Sequence, residues 1–335
     1  MASEISEVEV NGQRIVEAMY ANKPAWHGLG KIFDLDGTQA PDSETAIELS
    51  HTGWDTQLEE MKLNDGTKVD GYFATVRQDT RATLGIVGER YTVTQNRDCF
   101  KFLDSLCQDN VIRYESAFAL RGGKQIALLA RMPSNVDEIA EGDKCLRYVL
   151  CYNSHDGTSN LTLTPTSVRV VCANTVRLAL SNSKFSVRLR HSGDMTEKME
   201  EAKQYLSQFD AKFTLFRDTG RLLATRQVVG DAAMEYVRTL FPEPKADASR
   251  TVRGNWQGKI DSVIGGFTNG KNNNLPSIKG TWWSLFNALT EFVDHGGKFR
   301  GSADEQRERR FDETMEGKAA DFKNAAWDLA VKMAA

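Results

Sequence analysis

Residues 157–193 run GTSNLTLTPTSVRVVCANTVRLALSNSKFSVRLRHSG, and this stretch decides how the rest of the chain is read. It carries Arg169, Arg177, Lys184, Arg188 and Arg190 and neither Asp nor Glu, in a protein of formal net charge −4. Leu161 and Leu163 alternate with Thr162 and Thr164, the period of a half-buried strand. Pro165 removes a ladder donor, so the strand is expected to end near it. Cys172, Val176, Ala179 and Leu180 then recur at helical spacing, with Asn174, Arg177 and Ser181 as a polar stripe beside them. After Ser181-Asn182-Ser183 the period returns to two: Phe185, Val187 and Leu189 share one face, and Ser186, Arg188 and Arg190 the other. A strand-helix-strand unit with a basic face and no acid suits a polyanion, because phosphate contacts need clustered Arg and Lys. The same stretch also reads as a solvated face whose acids come from elsewhere in the fold.

Toward the N-terminus the pattern is mostly that of strands. Asn64-Asp65-Gly66-Thr67 separates two alternating runs, 54–63 and 68–77, as a hairpin turn does. Further extended pieces lie at 83–87, 111–120, 124–132 and 145–152; Arg121-Gly122-Gly123 marks a second hairpin turn. The run from Ile126 to Ala130 is apolar on both faces and so belongs in the middle of a sheet. Two short helices interrupt these strands, one opening at Pro41-Asp42-Ser43 and one capped by Asn96. Trp26-His27-Gly28-Leu29-Gly30 reads as a tight turn with Trp26 in the core.

Beyond Gly193 the pattern becomes helical. Met195, Met199, Ala202, Leu206, Phe209, Phe213 and Phe216 form a heptad seam, expected to pair within the chain. A helix follows from about Gly220 to Phe241. The Gly/Asn-rich stretch around residues 265–275, with Lys271, is expected to be a mobile basic loop. Trp282, Leu285, Phe286 and Leu289 mark an amphipathic helix, and Phe311 to Leu329 one or two more. The expected class is α+β: antiparallel sheet with interrupting helices over 1–193 and a helical region over 194–335.

Composition narrows the function. Apolar residues make up 40% and charged residues 26%, the balance of a soluble globular chain. No apolar run is long enough for a membrane span, and the acidic N-terminus lacks a signal-peptide core. Five cysteines without a C-x-x-C spacing fit a reducing cytoplasm. Phosphate-loop, dinucleotide, zinc-protease and nucleophile-elbow motifs are missing, and no cofactor or metal is implied. His155-Asp156 and His191 with Asp194 are the candidates for a divalent-metal nuclease or nucleotide-modifying site, each with a plain turn reading beside it. A third reading is an interaction protein that counters a host system, docking through the heptad seam or the Trp282 helix.

Several segments carry a family resemblance. They are Trp26–Gly30, Arg90-Tyr91-Thr92-Val93-Thr94-Gln95-Asn96, Leu120–Gly123, Asn153-Ser154-His155-Asp156-Gly157, Pro165–Thr175, Arg190-His191-Ser192-Gly193 and Asp294-His295-Gly296. In this order they resemble the phage/plasmid-like protein family, a domain of unknown function found in bacteriophages, prophages and mobile elements. The resemblance implies a phage-encoded protein of the host cytoplasm and no established activity. In outline alone, the chain is also similar to phage single-strand annealing proteins of the Redβ and Erf type. That likeness implies ATP-independent binding of single-stranded DNA or RNA by a homo-oligomeric ring or filament. Arg169, Asn174, Arg177, Lys184, Arg188, Arg190 and Lys271 would then meet the backbone, and Tyr152 or Phe185 would stack on bases.

Overall fold

The computed structural model describes residues 6–10, 12–21, 31–32, 40–106, 112–132, 136–169, 175–177, 186–206, 208–296 and 318–335. The fold is α+β, with strands mostly in the first half and helices in the second. It divides into two compact units whose segments interleave in sequence. The first comprises residues 1–134, 148–165 and 186–209, and the second residues 135–147, 166–185 and 210–335.

The first unit is built on sheets. Strands β1 (Glu7–Val10) and β2 (Gln13–Val16) form a hairpin. Strands β3 (Ala18–Tyr20), β4 (Lys31–Ile32), β8 (Arg113–Leu120), β9 (Gln125–Arg131), β11 (Asp143–Ser154) and β12 (Leu161–Arg169) lie in the order β12-β11-β9-β8-β3-β4. Strand β9 is central, as its unbroken apolar run requires; Ile126, Ala127 and Leu128 have no exposed surface. Strand β14 (Val187–Leu189) pairs with Leu161–Leu163 of β12. A second sheet of β5 (Thr56–Lys62), β6 (Lys68–Arg77) and β7 (Thr83–Gly88) is an antiparallel meander around the expected Asp65-Gly66 turn. Helix α1 (Ser43–Ser50) starts where Asp42 accepts a hydrogen bond from the Thr45 N–H. Helix α3 (Met195–Leu206) packs by β14.

Gly85 of β7 sets how closely the second sheet meets the turn after β11. A Cβ there would lie 2.5 Å from the Cα of Asp156, and one on Gly157, at φ +75°, would lie 3.1 Å from Val87 Cγ1. Two glycines thus allow Gly85 to meet the Asp156 backbone and Gly157 to meet the Val87 side chain.

The second unit packs helices around aromatic rings. It holds the β10 (Asp137–Ala140) hairpin with the start of β11, β13 (Thr175–Arg177), most of α4 (Gln208–Thr225), α5 (Ala232–Leu240), α6 (Arg250–Asn269), α7 (Trp282–Glu291) and α8 (Lys318–Ala334). Trp327 stacks on Phe216 with centroids 4.9 Å apart and meets Phe286 edge-on at 5.1 Å. The Trp283 indole N–H donates to Asp143 Oδ2 at 2.7 Å, which satisfies its one polar atom inside the core.

Several expectations are corrected. Strand β12 continues past Pro165; the proline falls between the segment paired with β14 and the segment, Thr166–Val168, paired with β13. Thr175–Arg177, expected in a helix, is that β13 strand: β-branched Thr175 and Val176 complete a ladder, and pairing overrides the helical spacing. The cap of α2 (Asn96–Asp104) is Gln95 in a capping box with Asp98, and Asn96 is buried one position inside. The heptad seam runs over two helices, α3 and α4, and its described members Met195, Met199, Ala202, Phe209, Phe213 and Phe216 are buried. The helix expected from Gly220 to Phe241 is the end of α4 followed by α5. In place of a free loop at 265–275, Gly265–Asn269 finish α6 and the Asn272 and Asn273 amides donate to Glu291 at 3.0 and 2.7 Å. The Trp26–Gly30 turn lies outside the described residues.

Gly85→Ala forces the two backbones of the first unit apart, and overpacking of this kind costs about 1–3 kcal/mol. Urea denaturation of the variant is expected to show a midpoint lowered accordingly; an unchanged midpoint would mean that the close approach is not needed.

Candidate functional site

Three separated segments meet in the first unit. Residues 90–96 leave β7 and enter α2, residues 153–157 run from the end of β11 into the turn after it, and residues 190–193 join β14 to α3. Each is largely extended or turned backbone, so its polar groups need partners beyond regular ladders, and many find them in one another. Tyr91 Oη donates to the Ser154 carbonyl at 2.8 Å, and burial pushes its acidity down so that it stays protonated. The Thr92 N–H donates to the His191 carbonyl at 3.1 Å and Thr92 Oγ1 to the Gly193 carbonyl at 3.0 Å. Thr94 Oγ1 meets His191 Nδ1 at 3.2 Å, and Asn153 Nδ2 donates to the Thr94 carbonyl at 3.2 Å.

His155 is the buried centre of this network. Its Nε2 lies 2.7 Å from Asn96 Oδ1, and the Asn96 amide donates to the Thr52 carbonyl at 2.8 Å. The imidazole packs on Trp54 with centroids 5.3 Å apart, and the Arg77 guanidinium lies 4.2 Å above the Trp54 ring. Arg77 is itself held by buried Glu17 and by Asp79. Burial, with lesser contributions from His191 and Arg77, pushes the His155 pKa down to about 3. Burial, with the Lys198 charge as a lesser cause, pushes that of His191 down to about 4. Both imidazoles are therefore neutral at pH 7.

Above this network lies a cleft of about 670 Å³, lined by Gly71, Tyr72, Ile86–Tyr91, Gly157, Ser159, Asn160 and Arg190–Ser192. The size suits a small-molecule or nucleotide ligand, within the range of about 300–1,000 Å³ for such sites. Arg90 and Arg190 are exposed on its lining, and Arg188, two residues before Arg190, is exposed on β14. No carboxylate among the described residues pairs with any of the three. Glu89 is the one acid on the lining. Tyr72 and Ile86 are 55% and 58% exposed there. Tyr91 stacks on His191 with centroids 5.1 Å apart, and Lys198 Nζ donates to the carbonyls of Arg190 and Ser192.

The residues singled out from sequence are distributed unevenly. Arg190 lines the cleft and Arg188 is exposed on β14; Lys271 is exposed, but in the second unit. Arg169 and Arg177 lie on β12 and β13, also in the second unit, with side chains outside the described residues, as Asn174, Lys184 and Phe185 are entirely. Tyr152 is 6% exposed, so its ring is core and not a stacking platform. His155 has no accessible surface, Asp156 is occupied by Ser154 and Thr158, and Asp194 caps α3 through the Thr196 and Glu197 N–H groups. Among the described residues no three His, Cys, Asp or Glu side chains are placed to hold a metal ion. The two docking surfaces of the interaction reading are buried as well: the described seam residues, and residues 282–290 of α7. Arg90 and Tyr72 were missed, since Arg90 follows Glu89 and stands outside the acid-free run.

The chain matches the family described as "Domain of unknown function (DUF932)" over residues 83–315, and it belongs to that family. The lining segments at 86–91, 157–160 and 190–192 lie inside the match, and Gly71 and Tyr72 lie before it. No curated protein and no solved structure matches, so the likeness in outline to the Redβ and Erf proteins is not supported. No described helix is long and apolar enough to cross a membrane.

The depressed histidines fix the sign of a pH effect. Between about pH 6.5 and pH 4 the unfolded chain takes up protons that the folded chain refuses, so stability is full above 6.5 and falls on acidification. Each histidine contributes a slope of about 1.4 kcal/mol per pH unit within that window. Urea denaturation at about pH 7, 5.5 and 4.5 is expected to show His155→Gln, which keeps a donor near Asn96, losing less stability than the parent. Parallel losses would show that His155 is not held neutral.

Proposed function

We propose that the protein binds single-stranded nucleic acid, without ATP, at the cleft formed by residues 71–72, 86–91, 157–160 and 190–192. One observation carries this reading: four separated segments converge on one open cleft edged by arginines that no described acid neutralises, next to an exposed aromatic ring. Arginines bind phosphates, and a tyrosine ring stacks on any base, so the pair suits a single strand in which bases are accessible. The slightly negative total charge is compatible with this, because the local field acts on the ligand. Arg188 and Arg190 extend the charge along the edge strand, and Arg90 adds to it from the β7–α2 connection. Binding alone needs no catalytic base, and the neutral, buried histidines below the cleft supply none.

The phage and mobile-element setting, a role in recombination or replication, and assembly into rings or filaments in the host cytoplasm belong to the same proposal. The phage and mobile-element setting rests on the sequence resemblance, and the role and assembly rest on the likeness in outline to the annealing proteins alone. RNA is bound by the same chemistry as DNA wherever phosphate and base stacking dominate.

Gel shifts with a labelled dT oligomer test the reading. Binding is expected to weaken steeply between about 50 and 200 mM salt. Arg90→Glu with Arg190→Glu is expected to raise Kd by about 10-fold or more, since two phosphate contacts become repulsions. Absence of binding at low salt, or binding indifferent to both changes, would sink the proposal.

A further inference from the structure

A second cleft of the first unit, of about 540 Å³, is lined by the β1–β2 hairpin, helix α1 and the residues around Trp54, Arg77 and Arg97. Val8, Val10 and Ile15 of the hairpin, with Ile47 and Trp54, give it apolar walls. Val8 is paired with Ile15, and Val10 follows two residues on, so the three share one face of the hairpin. All three are only half-buried. A two-stranded hairpin is marginal alone and gains from whatever covers such a face. Charge on this lining runs opposite to that of the arginine-edged cleft. Glu17, Glu44, Glu48 and Asp79 stand against Arg77 and Arg97, and His51, the C-cap residue of α1, lines it as well. Arg77 is shared between Glu17 and Asp79. Glu44 and Glu48 are exposed, and no Lys or Arg among the described residues pairs with either; Arg97 is exposed and has no carboxylate. The free charges are thus two acids against one arginine. Glu48 is also poorly placed for its own helix. It lies in the last turn of α1, at the negative end of the dipole, with no basic residue in that turn, and Glu44 one turn earlier repels it. A local rule broken in this way marks a site whose compensation comes from elsewhere.

We propose that this second cleft binds an organic cation with an apolar body, at a site independent of the arginine-edged one. The amine lies at Glu44 and Glu48, which gain the positive partner they lack, and the body fills the space along Val8, Val10, Ile15, Ile47 and Trp54. The volume falls within the range of about 300–1,000 Å³ for small-ligand sites. Charge-assisted contacts to two carboxylates select a cation over a neutral analogue of the same shape, and repulsion rejects an anion.

Ligand-observed NMR titrations with three indoles test this. Tryptamine, neutral tryptophol and anionic indole-3-acetate share one ring system and differ in the charge at the end of the side chain. Tryptamine is expected to bind about 5-fold or more tightly than tryptophol, and indole-3-acetate most weakly. Glu48→Gln keeps the shape of the side chain and is expected to bring tryptamine close to the level of tryptophol, whose own binding stays unchanged. Because Glu48 is disfavoured in its helix, the same variant is expected to hold or raise the urea midpoint, which separates a lost ligand contact from a lost fold. Ile15→Ser, on the apolar wall, is expected to weaken tryptamine and tryptophol alike and so to locate them in this cleft. Equal affinities for the three probes, tryptamine binding that ignores Glu48→Gln or Ile15→Ser, or no tryptamine binding at millimolar concentration would overturn the inference. None of these outcomes bears on the gel shifts with the dT oligomer.

Discussion

The hydrogen bond between His155 Nε2 and Asn96 Oδ1 is the constraint on which the first unit depends. It joins the turn after β11 to the first turn of α2, and Asn96 passes the link on to Thr52. Both side chains are buried, so losing either one strands the other away from water, which costs more than the bond itself contributes. Trp54 and Arg77 close the imidazole off, and the Glu17–Arg77 pair carries buried charge that is compensated on the spot. Burial raises the Glu17 pKa even against Arg77, a sign of how dry this region is.

From that network the cleft follows almost without further contributions. Gly85 and Gly157 allow close approach of β7 to the 153–157 turn, Thr92 and Thr94 dock the 190–193 turn, and the cleft lies above them. The hydrogen bonds below the surface hold the base of the cleft without using its rim side chains. Arg90, Arg190 and Tyr72 are of that kind: exposed, and unneeded by the core. A rigid polar base with free charge above it is how a binding surface keeps its geometry before a ligand arrives.

Much of the fold was legible in the sequence. Alternation located strands 68–77, 83–88 and 113–120, Asp65-Gly66 marked the hairpin, and Asp42 marked the start of α1. The failures share one cause, contact with distant residues. Thr175 and Val176 pair with β12 despite a helical period, Pro165 is tolerated where β12 changes partners, and Asn96 gives up its capping place for a buried bond to His155. At the site, Arg188 and Arg190 were visible through an acid-free run, but that run is shared between two units. Arg90 and Tyr72 carried no such signature, because a surface is assembled from segments whose local composition is ordinary. The family motifs at 90–96, 153–157 and 190–193 held the missing information, in the form of segments that had to meet.

Photocrosslinking places the ligand most directly. A dT oligomer carrying one 5-iodouracil is irradiated with the protein, and the adducted peptides are mapped by mass spectrometry. Adducts are expected on Tyr72, Tyr91 or His191, suppressed by unlabelled oligomer. Adducts confined to residues 250–279, or none that unlabelled oligomer suppresses, would contradict it.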